Sequence, residues 1–241
     1  MPRRSPKTSA TLHGLDVSPP DDEGRIYFVK AERLVRTALS EGPDGRMYAG
    51  GFLNGGFAAL DPRSGELAEF HTFSQSEKMT THRGKLYIGA YGGTSIYSGQ
   101  SATPPTQPEA KLFAWSVRHD RLLWEIVPVP GKPAIPALTF DPSGRLWGIA
   151  GGTVFSVDTH RRKVTGTVKL SDSKSSTGQL VFNPKDHRLY GAHAGQQVFS
   201  MRLPGGRHTV LREGPVHQLA VHGSGDVYFA EGPKLFRLKA R

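Results

Sequence analysis

ALTFDPSGRLWGIAGGTVFSVDTHRRKVTGTV, residues 137–168, is the stretch on which the fold assignment turns. Ala137-Leu138-Thr139-Phe140 is a short apolar run closed by a turn of Asp, Pro, Ser and Gly. Gly144-Arg145-Leu146-Trp147 opens a second run, and Gly151-Gly152 precedes a third, Thr153-Val154-Phe155-Ser156-Val157-Asp158. Lys163-Val164-Thr165-Gly166-Thr167-Val168 then alternates polar and apolar side chains, the pattern of a strand with one wet face. Four short strands joined by tight turns, with no helical period, form the unit of a β-propeller blade.

Outward from this unit the same phrase returns. A turn, a polar residue, an aliphatic residue and an aromatic recur as Gly45-Arg46-Met47-Tyr48, Gly84-Lys85-Leu86-Tyr87, His187-Arg188-Leu189-Tyr190 and Gly225-Asp226-Val227-Tyr228. A further copy stands at Gly24-Arg25-Ile26-Tyr27. From Tyr48 on, the aromatics recur at roughly 40 residues, one blade each, with one interval lengthened by an insertion. The sequence therefore predicts an all-β propeller of about five four-stranded blades: 31–73, 74–131, 132–175, 176–214 and 215–241. Residues 25–30 are expected to supply the strand missing from the last blade and so close the ring, hiding an edge. Residues 1–24 are expected to be a flexible basic tail, and 25–241 a single domain.

The composition is consistent with this. The 241 residues include 29 glycines and 18 prolines, yet hydrophobic residues reach 37%, which suits a turn-rich β protein rather than a disordered chain. With no cysteine, disulfides, thiol nucleophiles and cysteine zinc sites are excluded. The first twenty residues lack the apolar run of a signal peptide, and no later stretch is long enough to span a membrane. The expected location is the cytoplasm, or outside the cell if an export signal has been trimmed. A net charge of +10 favours an anionic partner or reflects only a soluble basic surface. No segment concentrates that charge in the manner of a sequence-specific nucleic-acid reader, and neither specific nucleic acid nor membrane is expected as a partner.

Between Tyr97 and Lys111 lies a loop with three prolines and no apolar periodicity, placed between the second and third strands of the second blade. It is expected beside one mouth of the central channel, where long loops shape pockets. The starts of the innermost strands should line that mouth with Arg36, Glu77, Lys78, Gln179, His217 and Gln218. Neighbouring loops add Asn54, His71, Gln75, Tyr91, Lys132 and His193. Such a set suits a small polar ligand, sugar hydroxyls with an acidic group above all. His71, Glu77 and His217 are the candidate general acid and base. His217 with His71 or His193 is the imidazole set that would serve a divalent ion, although no metal or other cofactor is expected.

Several phrases resemble bacterial propellers of the WD40-like or quinoprotein-like kind: residues 75–80, 85–91, 91–96, 111–115 and 127–131. The Gly-His and Trp-Asp pairs of true WD40 repeats are missing, as are the stacking tryptophans of quinone-dependent enzymes. Some propellers of this general kind are polysaccharide lyases acting on uronate-containing polymers, and the resemblance implies that activity as an alternative to binding alone. A third reading is a protein-interaction scaffold, with Phe52, Leu53 and Tyr97 as loop contributors; on any of the three a monomer is expected.

Overall fold

The computed structural model describes residues 11–12, 15–17, 29–31, 35–51, 57–70, 75–91, 109–175, 177–193 and 196–240. They are all β structure and turns, with no helix among them. Three short strands come first: β1 (Thr11–Leu12), β2 (Leu15–Val17) and β3 (Val29–Ala31). Five antiparallel meanders follow. The first blade is β4 (Val35–Glu41), β5 (Met47–Gly51), β6 (Phe57–Leu60) and β7 (Leu67–Phe70). The second is β8 (Gln75–His82), β9 (Lys85–Tyr91), β10 (Leu112–Ser116) and β11 (Arg121–Ile126). The third, the unit quoted above, is β12 (Ala137–Phe140), β13 (Leu146–Ala150), β14 (Thr153–Asp158) and β15 (Lys163–Lys169). The fourth is β16 (Gly178–Asn183), β17 (Arg188–His193), β18 (Gln197–Arg202) and β19 (His208–Glu213). The last is β20 (Val216–Val221), β21 (Val227–Glu231) and β22 (Lys234–Leu238).

Each blade falls within its expected boundaries, and the insertion leaves the second blade between β9 and β10 as anticipated. The inner strands pack in sequence, β4 on β8, β8 on β12, β12 on β16 and β16 on β20; no comparable interface joins β20 back to β4 among the described residues. Only the end of the expected closing strand, 25–30, is described, and it pairs elsewhere. Val29 and Lys30 pair with Val17 and Asp16, and the last sheet holds three strands among the described residues. Residues 25–28 lie outside those described. Pairing with a segment a dozen residues away closes a short loop, whereas reaching β22 closes one of some two hundred, at greater entropic cost.

The repeated aromatic has a physical reason. Tyr48 and Tyr190 donate their hydroxyls to Asp44 Oδ2 at 3.1 Å and Asp186 Oδ2 at 2.6 Å. Trp147 donates Nε1 to Asp141 Oδ2 at 2.9 Å. Each ring fills space between blades while its polar tip is satisfied by a turn carboxylate, which phenylalanine would leave unpaired. The turns demand left-handed backbone: φ is 79°, 73°, 80° and 92° at Gly45, Gly84, Gly144 and Gly225, and His187 takes φ 56° at the same place in the fourth blade.

Large side chains then lie directly across glycine. A Cβ added at Gly191 would stand 2.3 Å from Cζ of the fully buried Phe199. Gly191→Ala is therefore expected to cost about 1–3 kcal/mol by overpacking, read as a lower midpoint in urea unfolding.

Candidate functional site

Arg46, in the turn after β4, donates to Asp120 Oδ1 at 2.7 Å and to the Val117 carbonyl at 3.2 Å, both in the β10–β11 turn. Asn183 Nδ2 reaches the Gly225 carbonyl at 2.8 Å. These contacts gather the first-to-second and third-to-fourth hairpin turns of every blade at one end, called lower below. The remaining turns and the links between blades gather at the upper end, where the candidate residues were expected.

At the upper end the third and fourth blades meet over the turn Gly151-Gly152. A Cβ at Gly152 would lie 2.2 Å from the Ser171 carbonyl, and one at Gly151 2.8 Å from Cδ of Lys132. Only glycine lets both the Ser171 segment and the Lys132 side chain rest on this turn. Lys132 Nζ donates to the Ser173 carbonyl at 3.1 Å, which leaves ammonium protons to spare. The Ser171 hydroxyl meets His193 Nε2 at 2.9 Å and accepts the Ser173 backbone N–H at 3.2 Å. His193 is 0% exposed, and its Nδ1 has no hydrogen-bond partner among the described residues. Burial, with the Lys132 charge adding to it, pushes this imidazole below its ordinary range, so it is neutral at neutral pH.

On the channel wall, Gln179 Nε2 donates to Gln218 Oε1 at 2.7 Å, while Gln179 Oε1 accepts the Leu219 N–H at 2.8 Å. That pair links the inner strands of the fourth and last blades. Farther from the channel between the same two blades, Arg212 Nε donates to Glu231 Oε2 at 2.9 Å, and the guanidinium lies 4.2 Å over the Phe236 ring.

Three inner strands share an irregularity. The register of β8 against β9 shifts between Ser76 and Lys78, so Glu77 sits on a bulge. Between Val216 and Gln218 the register of β20 shifts in the same way at His217. In β4 the shift falls between Val35 and Leu39, a stretch containing Arg36. In β12 and β16 the register runs unbroken. Glu77 is half-buried and Lys78 exposed; the backbone alone places Arg36, Gln75 and His217. Tyr91 ends β9 in an isolated bridge to Ala134. Asn54 and His71 lie outside the described residues.

The structure thus brings Gln179 to Gln218, and Lys132 to His193 through the two serines. Ser171 and Ser173 were missed by the sequence reading. The polar run Ser171-Asp172-Ser173-Lys174-Ser175, in a link between blades, was the signal available. Among the described residues no group of three or more His, Asp or Glu gathers in a way that would hold a metal ion. Nor is any helix among them long and apolar enough to cross a membrane.

No protein-family model and no curated protein matches the sequence. Solved structures do match in fold. Virginiamycin B lyase from Staphylococcus aureus superposes with a TM-score of 0.64 at 10% identity, over 85% of this chain and 70% of that one. A streptogramin B lyase gives 0.63 at 13% identity, over 86% and 69%. A Bacteroides thetaiotaomicron protein of unknown function gives 0.61 at 11%, over 95% of this chain and 61% of its own. At these identities the likeness establishes the β-propeller architecture and nothing finer.

Proposed function

We propose that the protein binds a small polar, anionic ligand, an acidic glycan being the first choice, at the upper mouth of its channel. The observation that carries this reading is the coincidence of register breaks with candidate residues. Bulges re-aim single side chains and recur beside active sites, and here they fall at Glu77, at His217 and in the stretch holding Arg36. Lys132, held by the Ser173 carbonyl, supplies positive charge for a carboxylate. Gln179 and Gln218 offer their remaining amide capacity to hydroxyls. His193, sealed beneath Ser171, holds that serine in place rather than meeting the ligand.

A second reading is favoured by the names of the two lyases that share the fold. In it His71, Glu77 and His217 are base and acid in a β-elimination on a uronate-containing polymer. The base removes the proton next to the carboxylate, the electron pair forms the C=C bond, and the glycosidic oxygen leaves with a proton from the acid. Arg36, Lys78 or Lys132 neutralises the carboxylate as charge moves onto it.

The test is a panel of acidic and neutral glycans at low and moderate salt, with near-ultraviolet absorbance followed over a day. Binding of an acidic glycan is expected, and Lys132→Ala is expected to weaken it about tenfold, the loss of one charged hydrogen bond. Rising absorbance that His217→Ala abolishes while binding persists favours the lyase. An absence of binding to every acidic glycan overturns both readings.

A further inference from the structure

Charge is not divided evenly between the two ends of the molecule. At the lower end, Arg83, Arg118, Arg162, Arg202 and Arg207 are exposed and form no ion pair among the described residues. Arg161 beside them is 81% exposed and approaches Asp158 only to 3.7 Å. Of the lower-end carboxylates, Glu41, Asp44, Glu66 and Asp120 are exposed, the second and last paired with Arg46, while others are turned inward or tied to their own turns. Asp141 and Asp226 are buried, the first against Trp147 Nε1 and the second against Arg237 and the Ala240 N–H. Asp61 and Asp158 accept backbone N–H groups of their own turns. The outcome is a face on which exposed cations outnumber exposed carboxylates.

The backbone adds a second, independent observation. Among the described residues four other than glycine have left-handed φ, all in lower turns: Arg83 at 47°, Asp120 at 45°, Arg162 at 57° and His187 at 56°. At the places of Arg162 and His187 other blades carry glycine, Gly65 at φ 76° and Gly144 at φ 80°. Asp120 is explained by its bonds to Arg46. Arg83, Arg162 and His187 each put a basic side chain where glycine is the unstrained choice, and strain kept at a surface turn points to use.

We infer that this lower face docks the sugar–phosphate backbone of a double-stranded nucleic acid, without reading its sequence. Most of the exposed cations at these tips are arginines, Lys85, Lys163 and Lys185 being lysines, and the planar fork of arginine matches phosphate oxygens two at a time. None of the large exposed apolar side chains among the described residues is aromatic, so the face lacks a platform for unstacked bases or sugar rings. Phosphate contacts alone position a protein on a duplex and carry no sequence information.

The experiment is fluorescence anisotropy of the full chain with a labelled mixed-sequence duplex, at two salt concentrations. Micromolar binding at low salt is expected, weakening at least tenfold on raising the salt about fourfold. Arg83→Gly with Arg162→Gly removes two cations at backbone positions glycine adopts freely, so the melting curve should be little changed. Binding by this double variant should fall about tenfold, with a log–log salt slope shallower by about two. Lys169→Ala with Lys174→Ala, the same charge loss at the upper end, should leave binding within twofold. Equal loss in both double variants overturns the inference, because net charge alone would then explain the affinity. So does preference for one duplex sequence, or binding to heparin or to phosphatidylserine vesicles without binding to the duplex, or no binding at all. Lys132→Ala is expected to leave duplex binding intact, so failure of the upper ligand site and failure of this face are read separately.

Discussion

Phe155→Ala is expected to destabilise the protein by about 3–5 kcal/mol, lowering the melting temperature by roughly 10 °C for a chain of this size. Phe155 is fully buried in β14 and belongs to the cluster that joins the second and third blades through Tyr87, Leu112, Trp124 and Ile135. Its ring lies across β13 over Gly148, where an added Cβ would come within 2.3 Å of Cζ. Because that glycine contributes no side chain, nothing on the opposite strand collapses into the space the ring vacates. Alanine therefore leaves a cavity that lacks the contacts of a close-packed core. Differential scanning calorimetry measures the loss, and Phe155→Leu, which retains most of the volume, should recover more than half of it. A melting temperature within two degrees of the parent would show that the second and third blades are not held together through this ring.

Asp141→Ala is the second substitution with a large expected effect, about 3 kcal/mol. The carboxylate accepts the Ser143 hydroxyl at 2.5 Å and the Arg145 N–H at 3.1 Å on one oxygen, and Trp147 Nε1 on the other. Removing it strands the indole N–H of a residue that is 3% exposed and unties the turn leading into β13. If the stranded donor is the larger share, Asp141→Ala should cost clearly less in a Trp147→Phe background, and a double-mutant cycle in urea measures that coupling. Acid should reproduce part of the effect. Burial raises the pKa of Asp141, but the hydrogen bonds from Ser143, Trp147 and Arg145 outweigh it and hold the group below its ordinary value. Its stabilisation is thus present above the unfolded carboxylate pKa and is lost as pH falls through the folded one. Asp141→Asn should accordingly flatten the acid limb of the stability profile, leaving it unchanged at neutral pH in shape.

What the sequence disclosed, it disclosed through local chemistry. A turn residue with φ near 80°, an aliphatic residue and an aromatic with a polar tip are fixed within a few positions, so the second strands at Tyr48, Tyr87, Trp147, Tyr190 and Tyr228 were legible. The pairing of Val29 was not, because the choice between Val17 and β22 depends on loop entropy and on the rest of the molecule. Bulges at Glu77 and His217 leave no mark in alternation this short. The Ser171–His193 bond joins two blades across a link whose length the pattern does not reveal. Candidate polar residues could therefore be placed by strand position, while their partners, serine hydroxyls and backbone carbonyls, could not.

Among the described residues no interface comparable to the other four joins β20 to β4, and this has a consequence for how the molecule comes apart. A closed circle of equal units has no weakest member, whereas an open series has two ends. Among the described residues the third blade is flanked by neighbours on both sides, and the first and last each pack closely on one neighbouring blade. Leu39 on β4 and Leu235 on β22 stand 70% and 71% exposed at those two ends. Cohesion in such a series is a sum of nearest-neighbour couplings, so opening begins at the termini and travels inward. Brief excursions at either end then leave the central sheets, with Lys132 and His193, intact.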